Sequence, residues 1–387
     1  PDANTGSRTV PIYQSTAFVF EDTKDAGDLF ALRKYGNIYS RIANPTVAAL
    51  EEKVAALEGG LGAVATSSGL SAQFLVFACL TQSGDHIVAS SNLYGGTITQ
   101  LDVTMKKFGV ETTFVTSDDP KDYEKAIKPN TKLILTEVVS NPSNKVADLE
   151  SLAKIAHSHD IPLVVDSTLT TPYLVGGVVV ESGKFNWGNG KFPSMLEKVP
   201  HYGDITWWGN FGEYGFLTKL RAEQLRDIGS SLTPLAAFLL IQGIETLAQR
   251  MQDHVFNAQK VAEFLANDNR VSWVNYAGLK NHPQHDLVKK YLPKGAGAVF
   301  SFGVKGGRQT AEKFINSVEL LSHLANVGDA RSLVIHPAST THRQLTDAQL
   351  EAAGVKPDLV RISVGIEDVE DIIWDIDQAL TKAMRNE

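Results

Sequence analysis

Short apolar runs alternate with longer helical stretches in the first half of this chain, and this alternation most constrains its fold. The candidate strands are residues 63–66, 86–89, 112–115, 133–137 and 162–166. The segments between them are long enough for helices, which is the βαβα pattern of a parallel, doubly wound sheet. Ligands bind at the carboxyl ends of the strands in such sheets, so residues that follow each strand are candidates for chemistry.

The chain is predicted to consist of an arm and two domains. Residues 1–44 show little periodicity and are predicted to form an N-terminal arm. Residues 45–233 form the predicted large domain, and a long helical pattern over 234–267 opens the C-terminal domain, residues 234–387. This smaller domain is predicted to be α+β, with strands at 298–304 and 359–364 and a final helix over residues 369–384.

The first helix of the large domain has clear start and stop signals. Asn44 is a good N-cap residue and Pro45 suits the first helical position. Apolar residues follow at spacings of three and four until Gly59 and Gly60, which are predicted to end the helix.

One segment of the large domain is hard to place in this pattern. Residues 181–215 are irregular and rich in aromatic residues, including Trp187, Trp207 and Trp208. This is a long excursion for a compact domain, and loops of this kind are often functional.

Composition excludes several classes of function. The 387 residues carry a net charge of −8, which argues against nucleic acid or an anionic membrane as the main partner. The longest apolar runs, 74–80 and 234–241, are too short to cross a bilayer. The single cysteine, Cys79, cannot form an internal disulfide, so we predict a cytoplasmic protein in which this thiol is a core residue. We predict no metal site.

Residues 66–71, Thr-Ser-Ser-Gly-Leu-Ser, follow a predicted strand and open a predicted helix. Small residues let backbone N–H groups and the helix dipole face an anion, so this turn is a candidate phosphate site. Turns of this composition are also common without any ligand.

Two further residues follow predicted strands. Asp166 ends an apolar strand, where a carboxylate needs a partner, and the protonated nitrogen of a cofactor ring would be one. Its alternative role is a helix N-cap or an Asx turn. Tyr94 precedes Gly95 and Gly96 and could stack on a flat cofactor, or could simply be a packed tyrosine.

Arginines complete the set of candidates. Arg361 lies inside a strongly apolar predicted strand, and arginine is rarely buried without a partner. The carboxylate of an amino-acid substrate would suit it, and a structural salt bridge is the alternative. Tyr39 and Arg41 lie together in the arm and could bind a phosphate, or could be part of a solvated turn.

Taken together, these motifs resemble the Cys/Met-metabolism family of pyridoxal 5'-phosphate (PLP) enzymes. The resemblance covers essentially the whole chain, and it rests on the order of motifs along the sequence. It implies an α/β protein with the aspartate-aminotransferase-like PLP fold of type I, which has a mostly parallel sheet domain and a smaller C-terminal α+β domain. The motifs are Tyr39-Ser-Arg41, Asn44-Pro-Thr46, Ser67-Ser-Gly69, Leu93-Tyr-Gly-Gly96, Asn141-Pro142, Val165-Asp166 and Arg361-Ile-Ser-Val-Gly-Ile-Glu367.

The resemblance also implies residue roles. The backbone amides of Gly69 and Leu70 would hold the cofactor phosphate, and Tyr94 would stack on the ring and assist proton transfer. Asp166 would pair with the ring nitrogen. Contact with the hydroxyl side of the ring would come from Asn141, and the substrate carboxylate would be bound by Arg361, with Asn326 nearby. Tyr39 and Arg41 would reach the phosphate of a neighbouring subunit, in a homotetramer built from dimers that share active sites.

Within the family, the chain is most similar to O-acetylhomoserine sulfhydrylases. The aromatic excursion and residues 326–342 carry this similarity. It implies a transferase of methionine and cysteine biosynthesis that makes homocysteine and acetate from O-acetylhomoserine and sulfide. Cystathionine γ-synthase and methionine or cystathionine γ-lyase of the same family are the alternatives.

The resemblance also reveals a missing residue. Family members continue after the strand that ends at Asp166 with a helix, a strand and a Ser-x-Thr-Lys turn, whose lysine forms a Schiff base with the cofactor. Here Leu174 is followed directly by Val175. Either the protein has a segment between these residues that this sequence lacks, or the chain is a catalytically inactive PLP-fold subunit. The first interpretation is favoured because deleting a core strand would be costly. Lys184 is interpreted as a surface residue.

Overall fold

A computed structural model describes residues 5–141, 143–169, 176–341, 343, 350 and 354–385. The helices of these parts of the chain are α1 (Thr23–Phe30), α2 (Pro45–Glu58), α3 (Gly69–Leu80), α4 (Gly95–Thr99), α5 (Pro120–Ala126), α6 (Leu149–Ser158), α7 (Pro193–Leu196), α8 (Trp207–Phe211), α9 (Gly215–Lys219), α10 (Arg226–Ile228), α11 (Pro234–Glu245), α12 (Leu247–Asn267), α13 (His285–Tyr291), α14 (Arg308–Ile315) and α15 (Val369–Met384). Shorter helical turns of the π and 3-10 types connect several of them, at Gln100–Met105, Pro200–Tyr202, Gly212–Tyr214, Leu220–Leu225 and Pro337–Ser339.

The described strands form three sheets. They are β1 (Gly62–Thr66), β2 (His86–Ser90), β3 (Glu111–Val115), β4 (Thr131–Glu137), β5 (Leu163–Asp166), β6 (Gly177–Glu181), β7 (Val271–Asn275), β8 (Val299–Val304), β9 (Ser322–His323), β10 (Leu333–Ile335) and β11 (Leu359–Ser363). The first sheet has the order β3-β2-β4-β5, the second pairs β1 with β6, and the third has the order β7-β8-β11-β10-β9.

The four-stranded sheet confirms the doubly wound pattern. All of its strand pairs are parallel, and they coincide with four of the five strands that the sequence predicts in this domain. The carboxyl ends of β2, β4 and β5 therefore lie along one edge of the sheet. Tyr94 and Asn141 lie in the loops after β2 and β4, and Asp166 is the last residue of β5, so the sheet brings three of the predicted site residues to the same edge.

The first predicted strand does not join this sheet. β1 pairs with β6 in an antiparallel ladder that runs from Gly62 opposite Glu181 to Thr66 opposite Gly177. The prediction of a parallel partner for β1 was wrong, because an apolar run indicates a strand but does not specify its neighbour. The strand β6 itself was not predicted.

A cavity of about 680 Å³ separates the two sheets. It is lined by the strands β5 and β6, which in the described part of the chain each pair with one strand only. Apolar residues of three helices also line it: Leu50 and Val54 of α2, Val76 and Leu80 of α3, and Leu240 and Ile244 of α11. Protein interiors are normally packed without voids of this size, so the core of the large domain is interrupted at this place.

The helix α2 begins and ends as the sequence predicts. The side chain of Asn44 accepts a hydrogen bond from the N–H of Thr46, and Pro45 occupies the first helical position. Gly59 ends the helix in the left-handed conformation, with φ of 66°, which residues with a Cβ seldom adopt. The buried face of α2 packs against α11 in a shared apolar cluster.

The aromatic excursion over 181–215 contains part of the core. Trp187 and Trp207 are almost fully buried, and the ring of Trp187 stacks on Phe216 with centroids 4.6 Å apart. They belong to the same apolar cluster as Phe77 and Leu101. The aromatic residues thus have a packing role, which explains their number without a functional loop. Cys79 is buried in this cluster too, and its burial raises the pKa of the thiol to about 12.

The long helical pattern at the start of the C-terminal domain is two helices. α11 ends at Glu245 and α12 begins at Leu247, with Thr246 between them in a non-helical conformation. The chain turns here because the two helices pack differently: α11 lies against α2, whereas α12 packs on the five-stranded sheet together with α14 and α15. β11 lies in the middle of that sheet and carries Arg361.

No helix in the described residues has both the length and the apolar character needed to cross a membrane.

The aromatic packing predicts a difference between two tryptophans. Trp207→Ala should lower the free energy of unfolding by about 3–5 kcal/mol, because it removes a large side chain that is fully buried. Trp374→Ala, on the solvent face of α15 with 57% of the side chain exposed, should change it by about 0.5 kcal/mol or less. Chemical denaturation followed by circular dichroism measures both, and equal losses would contradict the assignment of Trp207 to the core.

Candidate active site

A buried carboxylate holds together the two loops that follow β2 and β4. Glu137 is the last residue of β4 and is 6% exposed. Its Oε1 accepts a hydrogen bond from the backbone N–H of Tyr94 at 2.6 Å, and its Oε2 accepts one from the backbone N–H of Asn141 at 3.1 Å. Burial raises the pKa of Glu137 to about 8, with a further contribution from the carboxylate of Asp166.

Asp166 lies beside Glu137, because the two residues are register partners on neighbouring parallel strands. Its Oδ1 accepts hydrogen bonds from the N–H and the hydroxyl of Thr168, which is the turn role considered above. Its Oδ2 accepts a hydrogen bond from the side-chain amide of Gln73 at 2.8 Å. Gln73 in turn accepts a hydrogen bond from Thr97 at 3.0 Å, so the orientation of its amide is fixed. Asp166 is thereby held in one orientation and stays partly exposed.

Arg361 reaches from the C-terminal sheet to the edge of the parallel sheet. Its guanidinium donates a hydrogen bond to Oδ1 of Asn141 at 3.2 Å and one to the backbone carbonyl of Asn326 at 3.3 Å. No carboxylate forms a salt bridge with it within the described residues, so these residues give no support for the alternative of a structural ion pair. Burial lowers the pKa of Arg361 from its ordinary value. A partly buried arginine held by two neutral oxygens is well suited to bind a carboxylate from outside the chain.

The turn that precedes α3 has the form of an anion site. Ser68 caps the helix by accepting a hydrogen bond from the N–H of Ser71, which leaves the N–H groups of Gly69 and Leu70 in the first turn. A Cβ built on Gly69 meets no atom within 4 Å, so the backbone there is accessible. A Cβ on Gly177 would lie 2.1 Å from the carbonyl oxygen of Ser68, so β6 packs directly behind the turn.

Tyr39 and Arg41 do not join this group within one chain. The guanidinium of Arg41 lies over the ring of Tyr39 at 5.2 Å and donates a hydrogen bond to the carbonyl of Arg226. Neither side chain contacts the other predicted site residues among the described contacts. Both are exposed, as residues that serve a neighbouring subunit would be.

Sequence reasoning missed two residues of the site. Glu137 ends an apolar strand as Asp166 does, so the same signal, a carboxylate at the carboxyl end of a strand, could have found it. Gln73 lies inside α3 and gave no signal, because its importance comes from contacts with residues that are distant in sequence.

No lysine takes part in the described contacts of Tyr94, Asn141, Asp166 or Arg361. Residues 170–175, which include the junction of Leu174 and Val175, lie outside the described residues, and none of them is a lysine. Lys184 is exposed, as predicted, and lines the cavity between β5 and β6. Lys219 is buried, paired with Glu223 and positioned over the ring of Trp207.

Comparison with known families identifies the family to which these site residues belong. The family model for Cys/Met metabolism PLP-dependent enzymes matches residues 1–381. The chain belongs to this family. Its members use PLP as their cofactor, so the predicted family and cofactor are confirmed.

Named relatives agree with this assignment. The chain is 46% identical to the sulfhydrylase FUB7 of Fusarium oxysporum, with 99% of this chain and 95% of that protein aligned. It is 43% identical to the O-acetyl-L-homoserine sulfhydrylase of Leptospira meyeri, over 98% of this chain and 94% of that protein. A Campylobacter jejuni structure described as an O-acetylhomoserine (thiol)-lyase, which contains N'-pyridoxyl-lysine-5'-monophosphate, is 36% identical with a TM-score of 0.92 over 97% of this chain and 96% of that one. The predicted fold class, PLP fold type I, is confirmed.

The alignments also show that this chain is shorter internally than its relatives. The alignment with FUB7 spans 411 positions, whereas the chain has 387 residues, so at least 24 positions have no residue of this chain. A segment of that length can hold a helix and a strand.

The position of Arg361 predicts that its substitution weakens the binding of ligands that carry a carboxylate and spares ligands that do not. N-phosphopyridoxyl-L-alanine carries a carboxylate, whereas pyridoxamine 5'-phosphate does not, and neither needs a lysine in order to bind. Arg361→Ala should weaken binding of the first about 10- to 100-fold, the loss expected for a charge-assisted pair of hydrogen bonds, and should leave the second nearly unchanged. Isothermal titration calorimetry measures both affinities.

Arg308→Ala is the matched control, because Arg308 is an exposed arginine of α14 that pairs with Glu312. It should change neither affinity. Equal weakening of the two ligands by Arg361→Ala would contradict a role in binding the carboxylate.

Proposed function

We propose that this protein catalyses γ-replacement on O-acetyl-L-homoserine, with sulfide as the second substrate and L-homocysteine and acetate as products. Relatives that are 42–46% identical over nearly the whole chain are sulfhydrylases and homocysteine synthases, which supports this reaction. The observation that carries the proposal is the placement of Arg361. It is held by Asn141 and Asn326, has no carboxylate partner among the residues that the structure describes, and lies next to the loop edge that carries Tyr94, as binding of an amino acid requires.

The residues present fit the cofactor except for the lysine. The N–H groups of Gly69 and Leu70, at the start of α3, would hold its phosphate. Tyr94, which is 50% exposed, would stack on the ring. Asp166 would pair with the ring nitrogen, and Asn141 would contact the hydroxyl side of the ring. When bound, PLP supplies an electron sink that makes the protons on the α and β carbons of an amino acid removable.

The side chains of this protein have separate tasks in that reaction. Arg361 binds the substrate carboxylate and so fixes the direction in which the amino acid enters the site. Asp166 keeps the ring nitrogen protonated, because an ionised carboxylate beside that nitrogen stabilises its positive charge. The phenol of Tyr94 would assist proton transfer at the acetate leaving group.

The base that removes the substrate protons is missing from the 387 residues. We propose that the active protein carries it on a segment between Leu174 and Val175, where the family's Schiff-base lysine is expected. The second candidate is a catalytically inactive PLP-fold subunit, and it would fit the finding that no lysine takes part in the described contacts of Tyr94, Asn141, Asp166 or Arg361.

Two other reactions of the family are alternatives to sulfide transfer. Cystathionine γ-synthase uses a thiol amino acid in place of sulfide, and a γ-lyase needs no second sulfur substrate. Acetate release that requires sulfide distinguishes the proposed reaction from both.

The assembly and location are also part of the proposal. The exposed Tyr39 and Arg41 would contact the cofactor phosphate of a neighbouring subunit, so that dimers share active sites and pair into a homotetramer. The chain would work in the cytoplasm on small-molecule substrates.

Borohydride reduction tests the proposal directly. The purified protein is incubated with PLP, reduced, and analysed by mass spectrometry both intact and as a digest. If the proposal is right, the intact mass exceeds that of the 387 residues, and a pyridoxyl-lysine peptide maps between Leu174 and Val175. A mass that equals the 387 residues, with no pyridoxyl label, would overturn it in favour of the inactive subunit.

A further inference from the structure

We infer that Glu137 is a positioning residue of this site, which holds the Tyr94 turn and the Asn141–Arg361 pair in a single arrangement through its two carboxylate oxygens. The inference deepens the proposed function, because it concerns how the same site is held in shape. Glu137 does not itself contact a ligand in this account, so its role is exerted through the residues that do.

Two hydrogen bonds from different loops converge on Glu137. The N–H of Tyr94 and the N–H of Asn141 belong to loops that follow different strands, and each donates to a different oxygen of this carboxylate. No other acceptor is recorded for either N–H within the described residues. Without Glu137, two partly buried backbone donors would lose their acceptor, at up to about 1–3 kcal/mol each.

The two loops carry side chains of the proposed site. Glu137 holds the backbone of Tyr94, and this fixes the point from which the tyrosine ring extends. The side chain of Asn141 accepts a hydrogen bond from Arg361, so fixing the backbone of Asn141 also fixes the oxygen that orients the guanidinium. A ring-stacking residue from one domain and a carboxylate-binding residue from the other are thus placed relative to each other through one side chain.

The carboxyl group of Glu137 has the right acceptors for these two hydrogen bonds. The ionised side chain offers acceptors on both oxygens, which matches two N–H donors. Because burial raises the pKa of Glu137 to about 8, the ligand comparison is made above that pH. Glutamine has nearly the same shape, but its NH₂ group would face one of these donors. Glu137→Gln therefore keeps the volume of the buried side chain and loses one of the two hydrogen bonds.

The test compares two ligands that share a phosphate. Pyridoxamine 5'-phosphate would contact Tyr94, Asn141 and Asp166 as well as the phosphate turn and needs no lysine, whereas inorganic phosphate would use only the turn at Gly69 and Leu70. Glu137→Gln should weaken pyridoxamine 5'-phosphate about tenfold, the effect of losing one such hydrogen bond, and should leave phosphate binding within about twofold. Calorimetry gives both affinities, and site-resolved hydrogen exchange should show faster exchange of the Tyr94 or the Asn141 amide.

Glu181→Gln is the matched control. Glu181 is also a buried carboxylate at the end of a strand, and it accepts a hydrogen bond from the N–H of Gly183, away from Tyr94 and Asn141. This variant should leave both affinities and both amides unchanged.

Failure of the Glu137 role and failure of the proposed function give different results in these measurements. Unchanged pyridoxamine 5'-phosphate binding in Glu137→Gln, or equal weakening of both ligands, would overturn the positioning role. If the unsubstituted protein binds neither ligand, the proposed function fails. The hydrogen exchange of the two amides then decides the role of Glu137: faster exchange in Glu137→Gln supports it, and unchanged exchange overturns it.

Discussion

The parallel pairing of β2, β4 and β5 is the constraint on which the rest of the site depends. Because parallel strands end at the same edge of a sheet, the loops after β2 and β4 and the last residue of β5 bring Tyr94, Asn141 and Asp166 together although these residues are far apart in sequence. The register of β4 with β5 sets Glu137 beside Asp166, and the resulting pair of carboxylates is held by N–H and amide donors. The C-terminal sheet adds Arg361 from the other side, so the site lies where two separately built sheets meet.

The interruption of the large domain is the second constraint. In the described residues, β1 and β6 form their own antiparallel pair, and a cavity lies between them and β5. Unpaired strand edges and an apolar void both cost stability, so a chain with this arrangement should be less stable than a relative with a continuous sheet. The shorter length of the chain relative to its aligned relatives and the missing lysine have the same origin in this account, since the absent positions would hold a core strand and the residue that follows it.

The sequence was most informative where local signals decide the structure. The start and end of α2 follow from Asn44, Pro45 and Gly59, and short runs of apolar and β-branched residues locate β2 to β5, among which β2 is buried along its whole length. Prediction failed where partners are distant. The antiparallel pairing of β1, the break at Thr246 and the buried packing of Trp207 depend on neighbours that periodicity does not specify. Motif order located the residues at the sheet edge, yet it missed Glu137 and Gln73, whose roles come only from tertiary hydrogen bonds.

A crystal structure of the protein with pyridoxamine 5'-phosphate tests the central claim most directly, because this ligand does not require the missing lysine. The account predicts the phosphate at the N–H groups of Gly69 and Leu70, the ring against Tyr94, and the ring nitrogen within hydrogen-bonding distance of Asp166. A ligand bound elsewhere, or a ring nitrogen that makes no contact with Asp166, would contradict the claim that these residues form one cofactor site.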